Sequence, residues 1–286
     1  MAIVLDNITY TYGMGTPFEK TALHGISLTI ENGEFLGVIG HTGSGKSTFV
    51  QHLNGLLHPT TGTVTVNGVD ISASTEEAKK MRHKVGMVFQ YPEHQLFEET
   101  IAEDIAFGPK NLGLSADEVD ERVRDAMKFV GLDYNTYAER SPFHLSGGQM
   151  RRVAIAGVVA MNPDFLVLDE PSAGLDPFGR EEIFEEIMRL HKEKGITVIL
   201  VSHNMEDISR MASRLVVLDK GRIVLDGEPM DIFNNHRDAL QAVGVDVPPV
   251  SVTMEYLREQ GLDVSNRVLS VDDAVQAILE GGSHVK

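Results

Sequence analysis

The sequence predicts an α/β fold in which a parallel sheet is built from strand–helix–strand units. Short apolar runs of strand length alternate with longer segments of helical periodicity, and turn residues separate them. The predicted strands are residues 165–168, 197–201 and 215–218, and the predicted helices are residues 178–194 and 205–212. Parallel strands require long crossover connections, which helices supply, so this alternation favours a parallel sheet.

The preceding part of the chain divides into two further regions. Residues 1 to about 90 are rich in strand patterns, with alternation at residues 63–66 and turn signals at Asn32-Gly33 and Asn67-Gly68. From about residue 93 to 162 the pattern is typical of amphipathic helices, with apolar residues three and four positions apart at residues 117–130. We therefore predict an antiparallel β subdomain, followed by a helical subdomain over about 93–162.

Beyond residue 229 the pattern changes to short helices, which are separated by Val247-Pro248-Pro249 and by Gly261. Ser270, with Asp273 three positions later, forms a capping-box start for a last helix. We predict a main domain over residues 1–228 and a small C-terminal helical extension over residues 229–286.

The composition argues against several classes of function. The chain has 286 residues, a formal net charge of −17 and no cysteine. Without cysteine there are no disulfides or thiolate metal sites, and without a basic stripe nucleic acid is not an expected partner. Without cysteine or a signal-peptide pattern we expect a cytoplasmic protein. An acidic surface is repelled by anionic lipid, so we expect any attachment to a membrane to go through a protein partner. The acidic run Glu181, Glu182, Glu185 and Glu186 is expected to be a solvated helix face.

A phosphate-binding loop follows the apolar run at residues 35–39. The loop fits the pattern G-x-x-x-x-G-K-[ST] and consists of Gly40, His41, Thr42, Gly43, Ser44, Gly45, Lys46 and Ser47. Its glycines allow backbone N–H groups to surround phosphate oxygens, and the helix that follows adds a partial positive charge. We expect Lys46 to contact the β- and γ-phosphates, Ser47 to bind Mg²⁺, and the adjacent Thr48 to contact the nucleotide.

Two carboxylates end the predicted strand at residues 165–168. Asp169 is placed to hold a Mg²⁺ shell, as the second acidic element does in phosphate-loop NTPases. Glu170 is placed to polarise a water molecule for in-line attack on the γ-phosphate. An apolar strand that ends in Asp-Glu is common in proteins, so this assignment depends on the phosphate loop.

A second candidate anion site begins another predicted helix, at residues 150–160. It consists of Leu145, Ser146, Gly147, Gly148 and Gln149. The hydroxyl of Ser146 and the two glycine N–H groups can bind phosphate oxygens. One nucleotide does not need two such sites, so we expect a dimer in which this segment covers the γ-phosphate held by the partner.

These residues resemble the ATP-binding-cassette (ABC) ATPases, whose signature motif is LSGGQ. The resemblance implies roles for four further residues: Tyr12 stacks on adenine, Gln90 senses Mg²⁺ and the attacking water, Asp176 belongs to the D-loop, and His203 contacts the γ-phosphate. Tyr10 competes with Tyr12 for the stacking role. The implied fold is that of the ABC ATPases among the phosphate-loop NTPases, and the implied cofactors are ATP and Mg²⁺.

Longer segments resemble the ATPases of energy-coupling factor (ECF) transporters. Residues 89–97 read FQYPEHQLF, residues 98–101 read EETI, and residues 107–111 read FGPKN. Residues 147–157 (GGQMRRVAIAG) and the insertion at residues 15–18 (GTPF) resemble the second of the two paralogous ATPases. The resemblance implies ATP-driven uptake of vitamins or metal ions at the cytoplasmic face of the membrane. The implied partners are a paralogous ATPase (a second copy of this chain is the alternative), a transmembrane coupling subunit and a substrate-binding membrane subunit.

Leu96 and Phe97 are the expected contact with the coupling subunit. They follow Gln90 in a polar segment, where two adjacent large apolar residues favour a docking surface over a water-facing loop. Simple packing against the helical subdomain is the alternative.

Two other classes of function compete with a transporter subunit. A soluble ABC ATPase of ribosome function, DNA repair or iron–sulfur assembly is the first, although the chain has one phosphate loop and neither a long heptad run nor a cysteine. A module that binds ATP without hydrolysis is the second, and Glu170 and His203 argue against it.

Overall fold

The computed structural model describes residues 1–265 and 267–281. The strands are β1 (Ala2–Tyr12), β2 (Lys20–Glu31), β3 (Phe35–Ile39), β4 (Thr61–Val66), β5 (Val69–Asp70), β6 (Val85–Val88), β7 (Phe165–Asp169), β8 (Thr197–Val201), β9 (Arg214–Asp219) and β10 (Arg222–Gly227). The α-helices of the main body are α1 (Lys46–Leu53), α2 (Glu76–Arg82), α3 (Ile101–Asn111), α4 (Ala116–Phe129), α5 (Tyr134–Tyr137), α6 (Gly147–Ala160), α7 (Pro177–Lys194) and α8 (Met205–Met211). They are followed by α9 (Pro229–Asn235), α10 (Arg237–Ala242), α11 (Pro249–Glu259) and α12 (Val271–Gly281). Short 3₁₀ helices lie at Pro92–Gln95 and Pro142–His144.

Two sheets form the centre of the fold. An antiparallel sheet has the order β2-β1-β4-β5, and a mixed sheet has the order β10-β9-β3-β8-β7-β6. In the mixed sheet β6, β7, β8, β3 and β9 are parallel, whereas β10 pairs antiparallel with β9 at the edge. The predicted α/β class with an antiparallel β sheet is confirmed, but the two sheets alternate along the chain, because β3 lies between β2 and β4 and belongs to the mixed sheet.

The parallel sheet is covered on both faces, which explains why β3, β7 and β8 are continuously apolar. Successive side chains of a strand point to opposite faces. Phe165 and Val167 accordingly pack toward the antiparallel sheet and α1, whereas Leu166 and Leu168 pack toward the helical subdomain. Because β3, β6, β7 and β8 are parallel, their carboxyl ends lie at one edge of the sheet, and the candidate site lies there.

The signature helix α6 begins three residues earlier than the sequence predicted. Ser146 caps its N-terminus: its side chain accepts a hydrogen bond from the Gln149 amide, and the Gln149 side chain accepts one from the Ser146 amide. This reciprocal capping box includes Gly147 and Gly148 in the first turn. The capping box stabilises this start, although glycine has a poor helix propensity.

The predicted pairing of Leu96 with Phe97 as one exposed contact is wrong. Leu96 is 8% exposed and belongs to the core, whereas Phe97 is 57% exposed and packs edge-on against Phe107 at a centroid distance of 4.9 Å. The backbone is extended at Leu96, and successive side chains of an extended chain point to opposite sides. Only Phe97 remains available to a partner.

The acidic run on α7 is also less solvated than the sequence predicted. Glu181 and Glu185 are exposed, but Glu182 and Glu186 are half-buried on the side that faces α6. The Oε2 atom of Glu186 is buried, and it has no hydrogen-bond partner within the described part of the chain. Burial raises the pKa of Glu186 to about 7, while Arg152 and Arg189 oppose the shift.

The C-terminal residues pack in two groups. Ile232, Phe233 and Leu240 join the main core, whereas Met254 and Val264 belong to a small separate core formed with α12. The Ser270 hydroxyl accepts a hydrogen bond from the Asp273 amide at 3.1 Å, as predicted from the sequence. The domain boundary at residue 228 stays a prediction, and residues 266 and 282–286 of the predicted extension lie outside the described residues. Among the described helices, none combines the length and apolarity needed to cross a membrane.

Candidate functional site

The phosphate loop connects β3 to α1 and depends on glycine for its shape. Gly40, Gly43 and Gly45 have φ angles of 152°, 83° and 106°, which disfavour residues with a Cβ atom. A Cβ atom on Gly40 would lie 2.3 Å from the carbonyl oxygen of Leu218. The loop therefore bends tightly over the end of β9 and directs its backbone toward the cavity.

Lys46 lies inside the curve of this loop. Its ammonium group donates hydrogen bonds to the carbonyl oxygens of Gly40 at 2.6 Å and His41 at 3.0 Å. Burial lowers the pKa of Lys46, and the nearby carboxylates of Glu170 and Asp169 oppose that effect. A partly desolvated cation between carboxylates and backbone dipoles is suited to binding phosphate oxygens.

Asp169 and Glu170 follow the buried strand β7, as predicted. Asp169 is buried, and burial raises its pKa, while a hydrogen bond from the Ser47 hydroxyl opposes the shift. Glu170 has a φ angle of 53°, in the left-handed region. A non-glycine residue held there costs about 1–3 kcal/mol, and such strain concentrates at functional sites.

His203 reaches Glu170 from the end of β8. Its Nδ1 atom lies 2.8 Å from Oε2 of Glu170, and its side chain is 76% exposed. Burial raises the pKa of Glu170, and the hydrogen bond with His203 opposes that shift. The carboxylate is thus partly desolvated and oriented by an accessible imidazole, an arrangement suited to handling the proton of a water molecule.

Tyr12 lies at the other end of the cavity. Its hydroxyl group is 3.1 Å from Oγ1 of Thr48, and its half-exposed ring lines the cavity. Tyr10 packs edge-on against Tyr12 and His52, with centroid distances of 4.7 and 4.9 Å. Of the two tyrosines, only Tyr12 lines the cavity, whereas Tyr10 packs between Tyr12 and His52.

One cavity of about 1000 Å³ unites most of the predicted site residues. Those that line it are Tyr12, Gly40, His41, Thr42, Gly43, Gly45, Lys46, Ser47, Thr48, Gln90, Asp169, Glu170 and His203. Ser44 is buried beneath the loop.

The remaining predicted residues lie outside this cavity and have local structural roles. Ser146 and Gln149 form the cap of α6, and Asp176 caps α7 by accepting a hydrogen bond from the Gly179 amide at 2.7 Å. Gly147 and Gly148 border open space, because an added Cβ atom on either would meet no described atom within 4 Å. In the signature segment (residues 145–149), Ser146 and Gly147 are exposed outside the cavity, whereas Leu145 is half-buried against the main core.

Several residues that line the cavity were missed from the sequence. They are Lys20, Thr21, Ala22, His24, Met205, Lys220, Gly244, Val245 and Asp246. Residues 244–246 follow α10 and approach the phosphate loop, where His41 also pairs with Asp219 at 2.9 Å. His41 and Asp219 are 178 positions apart, and residues 244–246 are farther still from the phosphate loop. No local sequence pattern signals contacts between residues so far apart.

Comparisons with known proteins establish the family. Residues 23–173 match the ABC transporter family. The energy-coupling factor transporter ATP-binding protein EcfA2 of Clostridium tetani is 53% identical, and the alignment covers 98% of this chain and 97% of the relative. EcfA2 of Clostridium acetobutylicum is 54% identical, with the same coverage. The chain belongs to the ATP-binding proteins of energy-coupling factor transporters.

Solved structures agree with this membership. The cbiO1 protein of Clostridium perfringens, part of the ABC transporter complex cbiONQ, is 36% identical with a TM-score of 0.73; 88% of this chain and 98% of that chain are covered. A dimeric ATP-binding cassette in a post-hydrolysis state, bound to ADP and phosphate, is 32% identical with a TM-score of 0.70; the coverage is 79% and 98%. The predicted ABC fold and the resemblance to the second paralogue are confirmed. The chain is an ATP-binding subunit of a transporter, and hence an ATPase.

Proposed function

We propose that this ATPase works at the cytoplasmic face of a membrane, where it drives an ECF-type importer of vitamins or metal ions. ATP binding closes a dimer of ATPase subunits, and hydrolysis reopens it. The single observation that carries the hydrolytic part is the cavity shared by the phosphate loop, Asp169, Glu170 and His203. Family membership carries the transport part.

The residues around Ser47 fit a magnesium ion. The Ser47 hydroxyl and the Asp169 carboxylate already lie within hydrogen-bond reach of each other, and the Gln90 amide lines the same cavity. These are hard oxygen ligands, which Mg²⁺ prefers when it also binds phosphate. Mg²⁺ bound there would neutralise phosphate charge, while Lys46 and the loop amides hold the β- and γ-phosphates.

Glu170 is the proposed general base. Its carboxylate is held by His203 and partly desolvated, so it accepts a proton from the attacking water more readily than a solvated carboxylate. His203 keeps the carboxylate oriented and, through its exposed ring, contacts the γ-phosphate. Tyr12 stacks on the base at the other end of the cavity.

The signature segment is proposed to act on the partner's nucleotide. Ser146 and the glycine amides begin α6 outside the cavity of their own chain, at a position open to a second subunit. Asp176, the N-cap of α7, is the D-loop residue that the family resemblance implies. The proposed assembly contains a paralogous ATPase, with a second copy of this chain as the alternative. It also contains a transmembrane coupling subunit and a substrate-binding membrane subunit.

Paired substitutions at Lys46 and Glu170 test the hydrolytic role. Lys46→Ala removes the charge that faces the phosphates, so we expect ATP affinity to fall at least tenfold in isothermal titration. Glu170→Gln keeps the size of the side chain but not its basicity, so we expect unchanged affinity and a loss of turnover of roughly 10²–10⁴-fold. A Glu170→Gln variant that hydrolyses ATP at the wild-type rate would refute the proposed function.

A further inference from the structure

Arg151 is a buried cation on the second turn of α6. Its side chain is 2% exposed, although arginine is almost never fully buried unless it is paired. Removing a guanidinium from water is costly, and excellent hydrogen bonding is needed to offset the cost. The contacts of Arg151 are therefore the reason that it can occupy this position.

Four hydrogen bonds connect Arg151 to two separate loops. Its Nε and Nη2 atoms donate to the two carboxylate oxygens of Glu93, each at 3.2 Å. Its Nη1 atom donates to the carbonyl oxygens of Pro171 and Ala173, each at 2.9 Å. The planar guanidinium fork suits this combination, because one edge matches a carboxylate while the remaining nitrogen reaches two carbonyl groups.

Both loops lead directly to residues of the candidate site. Glu93 lies three positions after Gln90, on the short helix Pro92–Gln95. Pro171 follows Glu170, and the Ala173 amide donates a hydrogen bond to the Glu170 carbonyl oxygen at 3.1 Å. The two loops also meet each other, since a Cβ atom on Gly174 would lie 3.7 Å from the ring of Tyr91.

Glu170 and Tyr91 share a backbone feature that needs such support. Their φ angles are 53° and 56°, and strained conformations of this kind persist only where the surroundings hold them. Arg151 binds Pro171, directly after Glu170, and Glu93, two positions after Tyr91. It stands outside the cavity itself, so its effect on the nucleotide is indirect.

We propose that Arg151 is a positioning residue that fixes the loops of Gln90 and Glu170 to the signature helix. This inference rests on the proposed function, in which Ser146 at the cap of the signature helix acts on the partner's nucleotide. Through Arg151, each chain's hydrolytic loop and the segment that covers the partner's ATP move as one unit. Lysine cannot replace it, because a single ammonium group lacks the fork that holds carboxylate and carbonyl groups together.

The test compares four variants of the full chain, each mixed with the paralogous subunit: Arg151→Met, Arg151→Lys, Glu93→Gln and Arg124→Met. The measurements are ATP affinity by titration, kcat and KM for ATP, and the midpoint of thermal unfolding. Arg124 is the control, since it forms an exposed ion pair with Asp120 on α4.

We expect Arg151→Met and Arg151→Lys to lower kcat on the order of 100-fold, because small displacements of catalytic groups have effects of that size. The ATP dissociation constant and KM should stay within about threefold of the wild type, because the phosphate loop is untouched. Glu93→Gln keeps the arginine and its carbonyl contacts, so we expect about a tenfold loss of kcat in a variant that folds. Arg124→Met should match the wild type.

Wild-type kcat in folded Glu93→Gln and in whichever arginine variants fold would overturn the positioning role. An equal loss of ATP affinity and kcat would also overturn it, since that outcome indicates a general structural role. The Glu170→Gln variant described above is measured alongside these four. If it retains turnover, the proposed function is contradicted instead, so the two failures are distinguishable.

Discussion

Glu186 shows how a single carboxylate can oppose folding at neutral pH. Its Oε2 atom is buried on the face between α6 and α7, and within the described residues it has no hydrogen-bond partner. Burial favours the neutral acid, so the pKa rises to about 7 from an ordinary value of 4.5. The unfolded chain loses this proton at a lower pH than the folded chain, and stability therefore falls as pH rises from about 4.5 to 7.

Glu186→Gln should remove this penalty. We expect the variant to be more stable than the wild type by about 1 kcal/mol at pH 8, after allowance for partial solvent exposure, with little difference at pH 4. Urea unfolding at both pH values measures the effect. Glu185→Gln is the matched control on the exposed side of the same helix and should change stability by less than about 0.3 kcal/mol. Equal stabilisation by both substitutions would contradict the assignment to Glu186.

At the scale of elements, the segment after β6 shows what a local pattern can and cannot predict. The sequence predicted the strands, the helices and the strand-end carboxylates, because these depend on periodicity and on residues adjacent in the chain. It did not predict that Leu96 turns inward while Phe97 turns outward, because this depends on the 3₁₀ helix before them and the packing of α3. For the same reason the contact of Arg151 with Glu93, 58 residues away, was not foreseen.

The exposed aromatic side chain of Phe97 now carries the prediction about docking. Phe97→Ser should leave ATP affinity unchanged and the free energy of unfolding within about 1 kcal/mol of the wild type. The side chain is largely solvated, and the amide of residue 97 still donates its hydrogen bond to the Asp104 carboxylate. We expect the variant to lose co-purification with the transmembrane coupling subunit. Phe18→Ser, at a more exposed aromatic residue between β1 and β2, is the control and should assemble normally.

On this interpretation Leu96→Arg should lose stability, whereas Phe97→Ser should keep its stability and lose assembly. Burying an arginine in place of a core leucine should cost at least about 2–5 kcal/mol and show as lost stability before any effect on assembly. Normal assembly of Phe97→Ser would remove this residue from the docking surface while leaving the ATPase assignment intact.

For the whole molecule, the central feature is that the phosphate loop and the signature segment face different spaces. The first lines the cavity, and the second begins α6 beyond it. From the sequence, two anion sites for one nucleotide predicted a dimer in which the chains share them. What the sequence could not supply was the approach of residues 244–246 to the phosphate loop, which links the C-terminal region to the nucleotide cavity. We propose that a dimer completes one site with the helix of the other chain.

Ser146 and Ser115 allow this shared arrangement to be tested without a difference in local chemistry. Both serines cap a helix through a capping box, on α6 and α4 respectively. Replacement by alanine should cost each helix about 1 kcal/mol. In the assembled dimer, however, we expect Ser146→Ala to lower ATP hydrolysis at least tenfold, because a donor to the partner's γ-phosphate is lost, whereas Ser115→Ala should hydrolyse at the wild-type rate.

The readout is specific activity as the paralogous subunit is added to each variant, together with ATP affinity of the isolated chain. Wild type and Ser115→Ala should gain activity with the added subunit, and all three proteins should bind ATP equally well when alone. If isolated Ser146→Ala loses ATP affinity, the serine acts on its own chain's nucleotide. If the isolated wild-type chain is fully active at every concentration, its catalytic site is complete without a partner. Either result contradicts the shared site, because in that arrangement Ser146 acts on the partner's nucleotide and leaves ATP binding to the isolated chain unchanged.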